Sequence, residues 1–356
     1  MGLGRSLSVL VFEWVTGGGL AGSELPPSWA AEGRAMRSAI AADFASARSA
    51  GEPIRVVTTL DARLDEPSEP WEVARIGPGA LERRLAQLAA TVDCIVLIAP
   101  ETNGVLADLT RKLETSPARL MGSTVEAVEA AADKARLAAI LQAKGVTTPH
   151  TRIVDPREPL PPDATYPAVL KPIDGAGSLD TFLVRGPDDR PMIPAAMTRA
   201  ILQPWIAGQA MSASFLVDQS GRSSLIAMGR QRMAIVDGRF IYQGGELPTP
   251  LPEATLLLIQ ALDAVRGLRG FVGVDFLWNQ DREQATILEI NPRPTTSYVG
   301  LARVLPAGYL AETWLEAMEE SGDGSLKIDR FAGRIGDAPA IAFAADGSIR
   351  EQRGWS

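Results

Sequence analysis

The run Leu288-Glu289-Ile290-Asn291-Pro292-Arg293 sets an acid, an amide and a guanidinium at alternate positions of an apolar stretch. In an extended chain alternate side chains share a face, so Glu289, Asn291 and Arg293 project together, away from Ile290 and Pro292. Upstream, Gly273-Val274-Asp275-Phe276-Leu277 places a second acid in an equally apolar run. A hairpin turning at 279–284 brings Asp275 near Glu289. Charged groups in such surroundings require compensating charge among them. Two carboxylates and an amide oxygen suit a hard divalent cation, and Mg²⁺ usually keeps substrate phosphates among its ligands. Asp275, Glu289 and Asn291 are therefore candidate ligands of a metal–phosphate site.

Composition narrows the partners. A net charge of −8 gives no basis for binding nucleic acid or an anionic membrane, so a polyphosphate would need a cation to mediate it. The 356 residues allow two or three domains, and 46% hydrophobic with 22% charged residues is ordinary for a globular protein. The single cysteine, Cys94, lies in an apolar run and reads as a buried, inert thiol. The single histidine, His150, excludes a histidine-rich zinc site and makes a Ser-His-Asp triad improbable. The first apolar stretch is cut short by Glu13, too early for a bilayer span or a signal peptide. It reads as a buried strand, with a cytoplasmic location expected.

Strands are expected at 7–12, 54–59 and 94–99, alternating with helices at 29–50 and 81–90. That alternation implies a parallel α/β sheet with ligand-binding loops at the strand C-termini. From about residue 120 the pattern changes. One helix is predicted over 123–143, capped by Ser123 with Glu126 in capping-box position and carrying Asp133-Lys134. Strands follow at 166–172 and 181–184 around a Gly-rich loop, then a helix-to-strand segment at 197–203. Further strands at 213–217 and 225–228 and a helix at 253–266 lead to the acidic segments, with one last strand at 340–344.

Several other groups fit the same nucleotide. Lys171 ends a strand directly before Asp174-Gly175-Ala176-Gly177-Ser178, a loop able to fold backbone N–H groups over phosphates. Lys134 sits on the preceding helix. Gln203-Pro204-Trp205-Ile206 follows an apolar strand and suits a linker whose backbone meets an adenine edge.

This order of lysine, lysine with Gly-rich hairpin, linker, then Asp and Glu-x-Asn-x-Arg resembles the ATP-grasp family over residues 120–300. The resemblance implies an α+β fold, with a Rossmann-like pre-grasp domain (1–118) before a two-lobed ATP-grasp domain (119–206 and 207–325) and a C-terminal extension (326–356). It implies ATP as co-substrate, with Lys134 and Lys171 on its phosphates, Asp174, Gly175, Gly177 and Ser178 in a mobile lid, and Gln203, Pro204, Trp205 and Ile206 at the adenine. It places Mg²⁺ or Mn²⁺ on Asp275, Glu289 and Asn291. Arg293 and Arg230 would take the anionic substrate or the transferring phosphoryl group. Where relatives carry an acid for the ribose, Gly208-Gln209-Ala210-Met211-Ser212 has none, leaving Gln209 as the substitute.

Further segments sharpen the likeness. Phe12-Glu13-Trp14-Val15-Thr16-Gly17-Gly18-Gly19, Pro100-Glu101-Thr102-Asn103-Gly104, Gly229-Arg230-Gln231-Arg232 and Tyr242-Gln243-Gly244-Gly245-Glu246 resemble the branch that joins glutamate to tyramine for methylofuran-type one-carbon cofactors. That branch implies small-molecule carboxylate and amine substrates, and the family at large a homodimer. A ligase that adds amino acids to a cofactor or peptide, and a nucleotide-binding protein without turnover, remain open on these residues.

Overall fold

The computed structural model describes residues 6–65, 69–175, 179–319, 331, 335 and 338–350. The N-terminal part is built on a five-stranded parallel sheet, ordered Glu72–Ile76, Arg55–Asp61, Ser8–Glu13, Cys94–Ile98, Arg119–Leu120. Ser8–Glu13 is buried along its whole length, as an apolar strand covered on both faces must be. Val9 and Val11 face the helix Pro27–Ser46 through Met36, Ile40 and Phe44. Leu10 and Phe12 pack with Leu85, Leu106 and Leu109 of the helices Leu81–Ala89 and Val105–Glu114. Cys94 is buried, and that burial pushes its thiol up to about 11.

The predicted 29–50 helix stops at Ser46 because Arg48–Ser49 pairs with Glu52–Pro53 in a tight hairpin. Its central residues, Ala50 and Gly51, both have positive φ (50° and 85°), which such two-residue turns demand.

The chain places Ser8–Glu13 between its two parallel neighbours, so the sheet's switch point opens between the C-terminal ends of Ser8–Glu13 and Cys94–Ile98. There the Gly-rich turn Val15–Gly19 is held by Glu13. Its carboxylate accepts from the Val15 and Thr16 backbone N–H groups at 2.8 and 2.7 Å and from the Thr16 hydroxyl at 2.6 Å.

A long, mostly antiparallel sheet forms the rest. Its order is Gln284–Asn291, Gly270–Asn279, Gln209–Val217, Ser223–Val236, Arg239–Leu247, Phe182–Val184, Ala168–Pro172, Ala200–Pro204, Arg152–Val154. The strand read at 225–228 is thus the N-terminal part of a much longer one, and the 197–203 segment contributes strand without helix. One junction makes the sheet continuous. Phe182 pairs with Arg239, Leu183 N–H donates to Gly238 O at 2.7 Å, and Phe240 N–H donates to Thr181 O at 2.9 Å. The Arg239 guanidinium lies 5.1 Å over the Phe182 ring.

The strand expected at 340–344 is present as Ile341–Phe343 and docks on Arg239–Leu247. This accounts for Gly244-Gly245. Gly244 has φ 112°, and a β-carbon there would collide with the Phe343 carbonyl. Among the described residues no helix is long and apolar enough to cross a membrane.

One hydrophobic cluster runs from the parallel sheet and helix Pro27–Ser46 into Phe271, Tyr298 and Trp314. Inside it, Asp43 accepts from Tyr298 Oη at 2.8 Å, Gly308 N at 2.7 Å and Ala311 N at 2.9 Å, fixing that helix to the start of Tyr309–Ala317. Burial raises the Asp43 pKa above the usual carboxylate range, opposed by these three donors. Asp43→Ala strands three buried polar groups and is expected to cost about 2–4 kcal/mol of stability, read as a lowered urea midpoint.

Candidate active site

The hairpin of Gly270–Asn279 and Gln284–Asn291 sets Asp275 directly opposite Glu289 and Gly273 opposite Asn291. Like charges facing each other across two strands repel, so this register survives only with compensation. It comes from several sides. Glu289 Oε1 accepts from Lys171 Nζ at 3.2 Å and forms an ion pair with Lys134 Nζ at 3.6 Å. Asp275 accepts from Asn291 Nδ2 at 3.1 Å and from Gln231 Nε2 at 2.8 Å. Burial, reinforced by the Glu289 charge, pushes Asp275 up to about 7. Burial would also raise Glu289, but the two lysines outweigh it and hold that carboxyl below its ordinary value. Lys171 is drawn below the lysine range by its own burial, against the pull of Glu289.

The lysines arrive from separate elements. Lys171 lies in Ala168–Pro172, and Lys134 opens the helix Lys134–Ala143. The single helix read at 123–143 is in fact two. Asp133 leaves the helical conformation and caps the second, accepting from Ala135 N at 3.0 Å and Arg136 N at 2.9 Å. The first helix, Val125–Ala132, is capped by Thr124, whereas Ser123 bonds across to the Arg269 backbone. The break lets Lys134 N–H donate to Ile173 O at 3.0 Å, beside the end of the lysine strand. Lys134 Nζ then reaches Gly175 O at 2.8 Å, at the base of the predicted lid. Gly177 and Ser178 lie outside the described residues.

A loop from the parallel domain closes the far end. Glu101 takes Arg293 Nε and Nη2 at 2.8 Å each, a buried bidentate pair. Two residues on, Asn103 N–H donates to Asp174 Oδ2 at 2.8 Å. Loop 101–104 therefore touches both the lid base and Arg293. The strand ends at Asn291, so Arg293 stands beyond the alternating ladder, its charge already paired with Glu101.

The linker residues sit on the edge of the lysine strand. Gln203 pairs with Val169 and Pro204 with Ala168. The buried Gln203 side chain donates to Thr151 Oγ1 at 2.8 Å, a structural tie. Trp205 N–H donates to Pro167 O at 2.8 Å, and its half-exposed ring lies 5.7 Å from Phe240, with Ile206 following.

Two expected residues are not brought to the acids. Ser212 pairs with Asp275 and Ala210 with Leu277, so Ala210 and Ser212 share the acids' face. Gln209 and Met211 turn to the opposite face, and Arg230, paired with Met211, turns with them. There Gln209, Arg230, Trp278 and Asp281 line a separate cavity of about 600 Å³. Gln231, next to Arg230 in sequence, is the residue of this strand that reaches Asp275. The signal was available as strand alternation, but only a known register says which of two neighbours faces inward.

The donor set can be tested against a divalent cation. Among the described residues no three His, Cys, Asp or Glu side chains converge as a metal cluster. Two carboxylates in register with an amide between them nevertheless fit a cation that takes its remaining ligands from phosphate and water. Both lysines pair with Glu289 and neither with Asp275, which leaves charge for such an ion to balance.

Known proteins resemble this chain in sequence and fold. Residues 131–297 match the ATP-grasp domain, and residues 54–128 the pre ATP-grasp 3 domain. Over 213 residues the chain is 29% identical to the tyramine–L-glutamate ligase of Methanocaldococcus fervens, covering 59% of this chain and 62% of that one. The same enzyme of Methanocaldococcus jannaschii is 29% identical over 226 residues, 62% of this chain and 63% of that one. The alignments thus span under two thirds of these relatives. In three dimensions the fold is similar to an ATP-grasp superfamily protein from Archaeoglobus fulgidus, at a TM-score of 0.63 and 22% identity over 95% of this chain and 92% of that one. With these two models matched in order over residues 54–128 and 131–297, the chain carries a pre ATP-grasp domain followed by an ATP-grasp domain.

Proposed function

We propose that this protein is an ATP-dependent carboxylate–amine ligase that joins L-glutamate to tyramine or a similar amine through an acyl phosphate. The reading rests on one observation above all. Glu289 is gripped by two lysines from different elements while facing Asp275, so cationic and anionic groups for a metal–polyphosphate line a single cleft. The likeness to the two tyramine–L-glutamate ligases supports the choice of substrates.

In this reading Lys134 and Lys171 contact the ATP phosphates, and the linker 203–206 lies along the adenine. The 208–212 stretch carries no acid and Gln209 turns away from the acids' face, so in this reading the ribose is held without a carboxylate from this stretch. Bound by Asp275, Glu289 and Asn291, a divalent cation would neutralise phosphate charge. The substrate carboxylate oxygen attacks the γ-phosphorus, the bond to the β–γ bridging oxygen breaks, and ADP departs. The amine nitrogen then attacks the acyl carbon, inorganic phosphate leaves and the amine gives up a proton. Fixed positive groups aimed at the transferring phosphoryl supply most of the rate in such chemistry. Arg293 serves here from the cleft's far end, oriented by Glu101. Closure of loop 174–178 over the nucleotide would keep water from the acyl phosphate. No protein nucleophile is needed.

The deciding experiment is a screen of amines for glutamate-dependent ADP formation, with tyramine first and the product mass measured. Absence of ADP release across amines would leave a binding protein instead. Glu289→Gln and Asp275→Asn preserve shape and are expected to lower kcat by on the order of 10²–10³-fold with the melting temperature little changed. Wild-type turnover of Glu289→Gln that still requires Mg²⁺ would refute the metal assignment. Lys171→Met should raise the KM for ATP by about tenfold, the loss of one charged hydrogen bond to phosphate.

A further inference from the structure

The segment after Arg293 makes a second contact with the parallel domain. Thr296 donates its hydroxyl to Glu32 Oε1, on the helix Pro27–Ser46. Next to it in sequence, Gly33 packs so closely on Glu13 that a β-carbon would sit 2.6 Å from the Glu13 carboxylate, so the helix is fixed against the Gly-rich turn. Glu32 has no other hydrogen-bond partner among the described residues. Its second carboxylate oxygen is open.

The other acids of the cleft are occupied. Glu101 gives both oxygens to Arg293, Glu289 holds two lysines, and Asp275 holds Asn291 and Gln231. Glu32 feels Arg293 only at a distance, and its burial raises its pKa despite that cation. Tyr242 pairs with Met233, two residues on from Gln231, which places it on the acids' face of the sheet. Burial first, and then the charges of Asp275 and Glu32, push its phenol above the usual tyrosine range, and its hydroxyl makes no hydrogen bond among the described residues. Two polar groups with open valences thus stand on the switch-point side, Glu32, and on the acids' face, Tyr242, and ligands of such sheets collect at the switch point. A half-buried carboxylate without an ion-pair partner among the described residues is well compensated by a ligand that brings a cation.

We infer that Glu32 receives a protonated primary amine of the substrate, with the Tyr242 hydroxyl as a second contact on the facing wall. The inference rests on the ligase reading for its choice of ligands. Both the α-ammonium of glutamate and the acceptor amine carry this group, and the test separates them.

The full-length protein, with Mg²⁺ and a non-hydrolysable ATP analogue, is titrated calorimetrically with L-glutamate, with tyramine, and with their ammonium-free counterparts glutarate and 4-hydroxyphenethyl alcohol. Glu32→Gln keeps an acceptor for Thr296, so its melting temperature should match wild type. It is expected to weaken one of the two ammonium ligands by about 10- to 100-fold while leaving the counterparts unchanged. Loss confined to tyramine assigns Glu32 to the acceptor, and loss confined to glutamate assigns it to the donor's α-amine. Equal affinity of both ammonium ligands for wild type and variant overturns the inference, as does a parallel loss for the ammonium-free compounds. Because binding is read without turnover, the two readings separate. A Glu32-dependent affinity in a protein that forms no amide retires the ligase reading alone, whereas wild-type protein that binds neither ammonium ligand overturns the Glu32 assignment too.

Discussion

Two carboxylates forced face to face on neighbouring strands determine much of how this chain is assembled. Asp275 and Glu289 meet because the hairpin register allows nothing else once Val274, Phe276 and Ile290 are buried on the other face. Their repulsion is relieved by groups from distant parts of the chain. Lys171 comes from the strand Ala168–Pro172 far along the sheet, Lys134 from a helix that must break to deliver it, and Gln231 from the long strand one beyond Gln209–Val217. Each of these positions requires its own element to be in place, so the acid pair acts as a point on which otherwise separate elements converge.

The same logic explains which features could be read directly from the sequence. Residues whose chemistry conflicts with their surroundings were visible: Glu289 and Asp275 in apolar strands, and Lys171 before a Gly-rich loop. The helix break at Asp133 was missed because Asp133-Lys134 lies in an Ala-rich run whose helical propensity is high on both sides. The faces of Arg230 and Gln209 were not legible either, since alternation leaves two choices and the bulged pairing of the long strands settles them. Glu32 carries no local mark at all. It is one acid in a long helix, and only the fold shows that Thr296 lies beside it.

The parallel domain contributes more than support. Loop 101–104 contacts the lid base through Asn103 and Arg293 through Glu101, while Glu32 contacts Thr296. A continuous hydrophobic cluster lies behind these contacts, locked by Asp43. Glu32 and loop 101–104 therefore keep a fixed distance from the lysines and acids of the antiparallel sheet, the precision that joining two substrates would demand.

The junction between Phe182–Val184 and the tip of the Ser223–Leu247 hairpin has a mechanical consequence. The lysine-bearing end of the sheet is tied to the rest by the chain at 144–151 and at 204–209 and, on its other side, by this short ladder. It forms a closed band around the cleft instead of a flap on one pivot. Such a band opens by twisting, or by parting the few hydrogen bonds at Gly238 and Thr181. The ease of that parting, more than the length of the connecting chain, would govern how quickly anything enclosed by the band is exchanged.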